Sequence, residues 1–415
     1  MNSEKITGLE SAINNSSDQK LKVDAINELA FEIRNSDTYR SIELCKEAQE
    51  ISKKINYPNG NATALANEAF CYVQITDYEV ALKKLFEALP IFEEQKNEKG
   101  IAQAYFNLTL VYYRFSDFNA GLDSISKATS YYEKVNDKTE LGRCYFQMGF
   151  VYQSLNDFES AFEYFNQSLD INREIKNQAG EASALMGLGQ TYLATKDYVN
   201  SRDYLLQSME IREKIKDMRG YAASLNALQT LCVNEGKIEE AEDISEKGIK
   251  LATELGDKMG VSRFMLDLGN VYLKKNKIDE AEQKITDALS GAEKINLRMA
   301  IAPCHLALSK IYELKKDFER SLKHYKLYHQ VKEDMQNTQA TMKAKSLQLT
   351  AKMENAQKEA EINRLKNVEL KNAFDVIEDK NKDIMDSMRY AKRIQQSLMP
   401  TDKYIDRILK KSKNE

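Results

Sequence analysis

The sequence contains no tryptophan and only four prolines, three histidines and five cysteines in 415 residues. Proline interrupts helices, so its scarcity, together with abundant Ala, Leu, Glu and Lys, favours an all-α protein. No apolar run approaches the roughly 18 residues that a membrane-spanning helix needs. The 60 basic and 64 acidic residues are intermixed, so no basic field marks a nucleic-acid site. We therefore expect neither a membrane nor a nucleic acid as partner.

The chain also lacks the signals of secretion and of catalysis. Its first twenty residues, MNSEKITGLESAINNSSDQK, have no apolar core of the kind found in secretory signals, so we expect a cytoplasmic protein with reduced cysteines. No histidine or cysteine group has metal-ligand spacing, and no glycine-rich phosphate loop or nucleophile elbow occurs. We expect no enzymatic activity, no cofactor and no metal.

The chain repeats itself every 40 residues between positions 21 and 340. Eight blocks, starting at positions 21, 61, 101, 141, 181, 221, 261 and 301, agree in most columns. Column 12 is mostly tyrosine, as at Tyr72, and column 21 is always small, as at Ala81. Column 25 is apolar or aromatic except in the sixth block, where Ser245 occurs and we expect Ile244 to turn inward. All five cysteines fall in columns that other blocks fill with Ala, Leu, Val or Tyr, which favours core packing.

These columns predict one helical hairpin per block. Columns 21, 25 and 28 lie on one stripe of a helix, and columns 9 and 12 lie on one face of an earlier helix. A single hairpin cannot bury its own apolar face, so the blocks must stack. We predict an all-α fold in which a right-handed α-solenoid of eight hairpins, residues 21–340, follows an N-terminal cap at residues 1–20.

Capping residues occur at fixed positions within the blocks. Column 17 holds aspartate in six blocks, where it can cap the second helix. Glycine ends five blocks, where it can close that helix. The aspartates are Asp37, Asp77, Asp117, Asp157, Asp197 and Asp317, and the glycines are Gly60, Gly100, Gly180, Gly220 and Gly260.

One stretch of the fourth block shows the residue order of a known repeat. In MGFVYQSLNDFESAFEYFNQSL, an apolar residue is followed by Gly149, Tyr152, Ala161, Phe165 and Ser168, and this order resembles the tetratricopeptide repeat. The usual unit has roughly 34 residues. The 40-residue unit is similar to the lengthened version in kinesin light chains and bacterial peptide-responsive regulators, which implies extra turns on the second helix. The sequence departs from the pattern at Glu28, Glu68, Cys232, Lys237 and Ser245.

Residues 341–399 lose the 40-residue period and predict a long coiled-coil helix. Positions from 342 to 398 keep an unbroken alternation of four and three residues, and good seam residues such as Leu370 and Phe374 alternate with weak ones such as Asn363. Parallel pairing of two such helices would make a homodimer. The alternative is a single solvated helix that folds back on the solenoid.

The end of the stalk resembles a linker in known signalling proteins. Residues 361–400, EINRLKNVELKNAFDVIEDKNKDIMDSMRYAKRIQQSLMP, resemble the segment that joins tetratricopeptide arrays to sporulation-type, metal-dependent serine/threonine phosphatase domains in Bacteroidetes-like proteins. In such proteins the segment leads into the catalytic domain. Only fifteen residues follow Pro400, too few for the metal-binding aspartates of that domain. We expect a sensor and transmission helix without an output domain.

Residues 400–415 predict a short helix or tail that restarts near Asp402. The helix is too short to be stable alone, so it needs a surface on which to lie. We expect Ile405 and Leu409 to contact an output partner; the alternative is a frayed end. The apolar stripe comprises Tyr404, Ile405, Ile408 and Leu409.

Columns 3, 7, 10 and 14 share the face of each first helix that should line the concave surface of the solenoid. Amides in column 7 both donate and accept hydrogen bonds, so they can hold the backbone of an extended peptide. Phenylalanines would supply pockets, and arginines would favour an acidic ligand; the alternative is that these are merely solvated polar positions. The predicted peptide-binding residues are Asn27, Asn67, Asn107, Gln147, Phe70, Phe150, Arg34, Arg114 and Arg143.

These patterns indicate a non-catalytic scaffold or sensor in bacterial cytoplasmic signalling. It would bind a protein or extended peptide in the concave groove and pass a signal along the coiled coil to a signalling enzyme at the C-terminal end. The linker resemblance implies an alternative, the regulatory part of a metal-dependent serine/threonine phosphatase whose catalytic domain is absent from this chain. A third possibility is a purely structural dimeric adaptor.

Overall fold

The computed structural model describes residues 3–398 and 402–412, and that part of the chain is helical throughout apart from short turns. No strand occurs within it. The chain divides into two compact units, Met1–Leu349 and Thr350–Glu415. The first unit holds the repeats, as the 40-residue period predicts, and the second holds the end of a long helix and a short C-terminal helix.

Each block forms two helices, and nearly all of them have 17 residues and are followed by a three-residue turn. In the second to seventh repeats the second helix is therefore no longer than the first, and the extra turns that the resemblance places on the second helix are shared between both. An additional helix, α1 (Ser3–Asn15), precedes the repeats. The hairpins are α2 (Gln19–Ile33) and α3 (Thr38–Lys54), α4 (Pro58–Gln74) and α5 (Tyr78–Glu94), α6 (Glu98–Arg114) and α7 (Phe118–Lys134), α8 (Lys138–Ser154) and α9 (Phe158–Glu174), α10 (Gln178–Ala194) and α11 (Tyr198–Lys214), α12 (Met218–Glu235) and α13 (Ile238–Glu254), α14 (Lys258–Lys274) and α15 (Ile278–Lys294), and α16 (Arg298–Leu314) with the start of α17 (Phe318–Leu398).

The column-17 aspartates cap the second helices, as predicted. The carboxylate of Asp77, for example, accepts a hydrogen bond from the backbone N–H of Val80. Just before this cap, Thr76 has a φ of 66°, and the N–H of Asp77 donates to the carbonyl of Tyr72 five residues earlier. This is the Schellman arrangement that closes a helix. Lysine, asparagine, serine or threonine adopts the left-handed conformation in most of these turns, and Gly236 and Gly256 do so in two.

The five block-ending glycines do not close the second helices, which corrects that prediction. They lie in the first turn of the next first helix, as Gly100 does in α6. A Cβ at Gly100 would come within 2.5 Å of the Phe92 ring on the preceding helix. Glycine occurs there because two helices meet closely, and not because the backbone needs a positive φ.

Small residues in the second helix allow the two helices of a hairpin to pack tightly. Ala81, Leu85 and Ala88, from columns 21, 25 and 28, are each 0% exposed. The buried clusters also cross repeat boundaries: one of them joins Phe106 of α6 to Met148 of α8. Buried side chains of neighbouring repeats therefore pack together, as stacking of hairpins requires.

The departures from the repeat pattern have structural explanations. Glu28 is exposed and pairs with Lys5 of α1, which covers the first repeat. In the sixth repeat Ile244 is 6% exposed, so it turns inward beside the buried Ser245 as predicted. Lys237 stands in place of the capping aspartate, and no side-chain cap forms there. All five cysteines are buried and free, and burial raises the pKa of each thiol.

The second helix of the eighth repeat continues without interruption into the stalk, so α17 has 81 residues. The predicted boundary between residues 340 and 341 falls inside this helix. Three predicted seam positions pack within the first unit, since Ser346 is 1% exposed and Met342 and Leu349 are partly buried. The coiled-coil prediction therefore applies to the residues beyond Leu349. Pro400, the predicted helix end, lies outside the described residues.

Glu68 is a buried acid that forms an ion pair with Lys84. Its side chain is 1% exposed, and its Oε2 lies 2.8 Å from Lys84 Nζ and accepts a 2.7 Å hydrogen bond from Gln49 Nε2. A buried charge that loses its counter-ion is strongly destabilising. We expect Lys84→Met to lower the free energy of unfolding by about 3 kcal/mol, measured by urea titration of the circular dichroism at 222 nm.

The control for this prediction is the double variant Lys84→Met with Glu68→Gln. The neutral amide keeps a hydrogen bond to Gln49 and needs no cation, so most of the lost stability should return. An equal loss in the single and double variants would show that Lys84 acts through packing of its aliphatic stem.

Candidate functional site

A polar cavity of about 550 Å³ lies along the first helices of the first four repeats, α2, α4, α6 and α8. Asn27, Asn67, Asn107, Arg34 and Arg143, five of the nine predicted peptide-binding residues, line it. Columns 3, 7 and 14 therefore meet in one cavity, as their shared helix face predicts.

The column-7 asparagines form a ladder between neighbouring first helices. The amide of Asn27 donates to the carbonyl of Gly60, that of Asn67 to the carbonyl of Asn27, and that of Asn107 to the carbonyl of Ala66, at 3.0, 3.0 and 3.1 Å. All three side chains are at most 4% exposed. One N–H of each amide thus holds the repeats together, which leaves the second N–H of each amide and the oxygens of Asn27 and Asn107 to face a ligand.

Arg34 ends the first helix of the first repeat and is 6% exposed. The rings of Phe31 and Phe70 lie 3.4 and 4.4 Å from its guanidinium carbon. Burial, and then the charge of Arg143, lower the pKa of Arg34 to about 10. Aromatic contacts and the negative end of the helix dipole stabilise this cation in a dry environment.

Arg143 forms the second cationic position of the cavity. Its guanidinium lies 4.5 Å from the Phe106 ring and 2.7 Å from a carboxylate oxygen of Glu140, one turn earlier in α8. About a third of its side chain is exposed, so it can reorient toward a ligand more easily than Arg34.

Four predicted residues do not line this cavity. Phe70 is buried beneath Arg34, and Phe150 packs against Phe165 with ring centroids 5.6 Å apart. Gln147 is partly buried in the fourth repeat, and Arg114 is exposed. The aromatic lining comes from Phe31, Phe106 and Tyr132 instead.

Two polar residues were missed by the sequence analysis although their columns were known. Gln103, in column 3, lines the cavity and donates to Asn67 Oδ1 at 3.3 Å. Asp267, in column 7 of the seventh repeat, accepts a 2.9 Å hydrogen bond from Asn226, and burial raises its pKa to about 6. Reading column 7 through all eight blocks would have identified it.

Within residues 3–398 and 402–412, no group of three or more His, Cys, Asp or Glu side chains is placed to hold a metal ion. The helices described there include none that is both long and apolar enough to cross a membrane.

The family comparison supports the repeat assignment. A family model described as the tetratricopeptide repeat matches residues 100–174 and residues 180–254. These ranges cover the third to sixth hairpins, from α6 to α13. The middle of the chain therefore carries tetratricopeptide repeats.

Several solved structures share the fold of the first unit at low sequence identity. The apo quorum sensor NprR from B. thuringiensis is 15% identical with a TM-score of 0.61, and the match covers 79% of this chain and 97% of that one. Aspartyl phosphate phosphatase F from Bacillus subtilis is 16% identical with a TM-score of 0.55, covering 79% and 93%. The Rap conjugation gene regulator of plasmid pLS20, in complex with the Phr* peptide, is 17% identical with a TM-score of 0.53, covering 81% and 96%.

No curated protein matches the sequence significantly. The solved structures show that the chain shares their all-α solenoid fold, and at these identities the likeness extends to the fold alone.

Proposed function

We propose that the protein is a non-catalytic, cytoplasmic sensor that binds an extended peptide or protein segment in the groove of its solenoid. The observation that carries this proposal is the cavity of about 550 Å³ along the first helices of repeats one to four. Its lining combines amides, two arginines and aromatic rings, which suit a peptide backbone with an acidic group. A neighbour of the same fold was solved with a bound peptide.

The amide ladder gives this site its rigidity. Because the asparagine N–H groups are bonded to neighbouring helices, their oxygens keep fixed positions before a ligand arrives. A preorganised site loses less conformational entropy on binding. Asn27 and Asn107 therefore act both as packing groups and as acceptors for peptide N–H groups, while the oxygen of Asn67 is held by Gln103.

Replacing Asn67 and Asn107 by alanine tests the groove. The double variant should lose the partners that the wild-type protein recovers from a lysate of the native host, identified by mass spectrometry. Each lost buried hydrogen bond should also reduce stability by about 1 kcal/mol, which leaves the solenoid folded.

The matched control is Asn172→Ala. Asn172 is 3% exposed and bonded to the Ser168 carbonyl, but it lies on a second helix outside the cavity. It should lose similar stability and keep every partner. Undiminished recovery of partners by the Asn67/Asn107 double variant would contradict the proposed groove.

Helix α17 is suited to transmit a change in the solenoid. It begins in the eighth repeat, and Val331 packs against the core of the seventh and eighth repeats. Further along, Gln339 bonds to Ser116 in the third repeat, and Lys345 Nζ lies 2.6 Å from Glu79 in the second. One helix therefore contacts the second and third repeats as well as the seventh and eighth. A ligand that favours one curvature would shift α17 between two arrangements.

We further propose that the stalk beyond Leu349 pairs two chains in parallel. Leu370, Phe374, Ile377 and Ile384 of the predicted seam are all more than half exposed, and burial of such a stripe drives coiled-coil association. Light scattering should give a dimer for the full chain and a monomer for a chain ending at Leu349.

Two substitutions distinguish pairing through the predicted seam from nonspecific association of the stalk. Ile377→Asp changes a seam position and should yield a monomer, whereas Val376→Asp changes the adjacent exposed position and should leave the dimer intact. Monomers for both the full and the shortened chain would leave the single-helix alternative standing.

The C-terminal helix α18 (Asp402–Ser412) is the proposed contact for an output partner. Ile405 and Leu409 are 43% and 55% exposed on its apolar side. The resemblance of residues 361–400 to phosphatase linkers supports a signalling enzyme as that partner. The alternative is that this chain is the regulatory part of a metal-dependent serine/threonine phosphatase.

Photo-crosslinking from position 405 in the native host tests the output contact. We expect capture of a phosphatase or another signalling enzyme, while a crosslinker at Arg407, on the charged side of α18, should capture much less. Capture of nothing beyond the chain's own repeats would favour a self-contained adaptor.

A further inference from the structure

One cation in the cavity has no anionic partner. Among the described residues, no side chain accepts a hydrogen bond from the guanidinium of Arg34 or forms an ion pair with it, and its Nε is buried without a partner. The N–H groups of a guanidinium point outward in its own plane, so the nearby rings of Phe31 and Phe70 do not satisfy them. Burying such a charge costs free energy that a bound anion would recover.

A second unsatisfied atom lines the same cavity. Asn27 is 4% exposed, and its Oδ1 is buried without a hydrogen-bond donor in the described structure, although its amide N–H is bonded to Gly60. The cavity therefore presents an unpaired donor set at Arg34 and an unpaired acceptor at Asn27. A peptide that carries a carboxylate supplies both missing partners, because its backbone N–H is a donor and its carboxylate is an acceptor.

The acids that line the cavity form no ion pair with Arg34, because each is bonded elsewhere. Each is engaged by a base, a hydroxyl or a helix terminus, so none of them accepts a hydrogen bond from the Arg34 guanidinium. Glu28 and Glu32 pair with Lys5, Glu140 pairs with Arg143, Asp24 accepts from the Tyr57 hydroxyl, and Asp137 caps α8.

We propose that Arg34 binds a carboxylate of an extended peptide, with Arg143 as the second cation and Asn27 Oδ1 accepting a peptide N–H. This inference rests on the proposed peptide-binding function and names the group that the groove selects. A guanidinium matches a carboxylate with two parallel hydrogen bonds, and the flanking rings of Phe31 and Phe70 keep it oriented. The carboxylate is either the C-terminus of the peptide or an Asp or Glu side chain.

Three libraries of random hexapeptides test the proposal on the immobilised full chain. One has a free C-terminal carboxylate and no Asp or Glu; one is C-terminally amidated with a single Asp or Glu; one is amidated and has neither. At least one acid-bearing library should be retained about tenfold or more above the acid-free one, since hydrogen bonds to charged groups are the stronger class. The library that is retained identifies the source of the carboxylate.

Matched arginine variants assign the preference to Arg34. Arg34→Gln should reduce the ratio between acid-bearing and acid-free libraries to near one. Arg114→Gln is the control, because Arg114 occupies the same column of the third repeat but is exposed and outside the cavity. Thermal unfolding followed by circular dichroism checks the fold of each variant. If Arg34→Gln does not fold, Arg143→Gln, at the more exposed cation, should still lower the ratio severalfold.

The outcomes separate this inference from the function on which it rests. Equal retention of all three libraries by the wild-type protein would overturn the carboxylate site and leave the peptide groove in place. Retention of none of them would overturn both. An acid preference that survives Arg34→Gln and Arg143→Gln would place the anion elsewhere and refute the assignment.

Discussion

The close approach of paired helices, made possible by small side chains, is the constraint on which the whole first unit depends. Ala81 and Ala88 are fully buried in the second repeat, and a Cβ on Gly149 would come within 2.7 Å of the Phe165 ring. With the helices this close, each hairpin presents an apolar face to the next hairpin, so the hairpins stack into a solenoid. This stacking sets the regular spacing of the first helices, and hence the groove between them.

Polar groups are buried where the stacking brings first helices together, and there structure and candidate function coincide. The amides of Asn27, Asn67 and Asn107 close hydrogen bonds between repeats and also line the cavity. Where a buried polar group lacks a partner, as at Arg34, its cost is tolerated because the surrounding repeats fix it in place. A buried polar residue without a hydrogen-bond partner therefore indicates a ligand site more clearly than one whose polar groups are all paired.

Much of the fold follows from periodicity in the sequence, because columns report which side of a helix is buried. The eight hairpins, the aspartate caps and the inward turn of Ile244 are all visible in this way. The role predicted for the block-ending glycines was wrong. Lys96, and not a glycine, adopts the left-handed conformation after α5, and Gly100 is needed because a larger residue would clash with the ring of Phe92. Of the nine predicted peptide-binding residues, five line the cavity, and their role in binding stays a prediction.

The sequence by itself determined the repeat, its length, the number of hairpins and the face that lines the groove, because these depend on contacts within one block or its neighbour. Only the tertiary structure decided that Phe70 lies beneath Arg34 while Phe31 and Phe106 line the cavity, and that Ser346 is buried within the repeat unit. Lys345 meets Glu79 across 266 residues of chain. Contacts at such separations arise from the summed geometry of many repeats, and no local pattern records them.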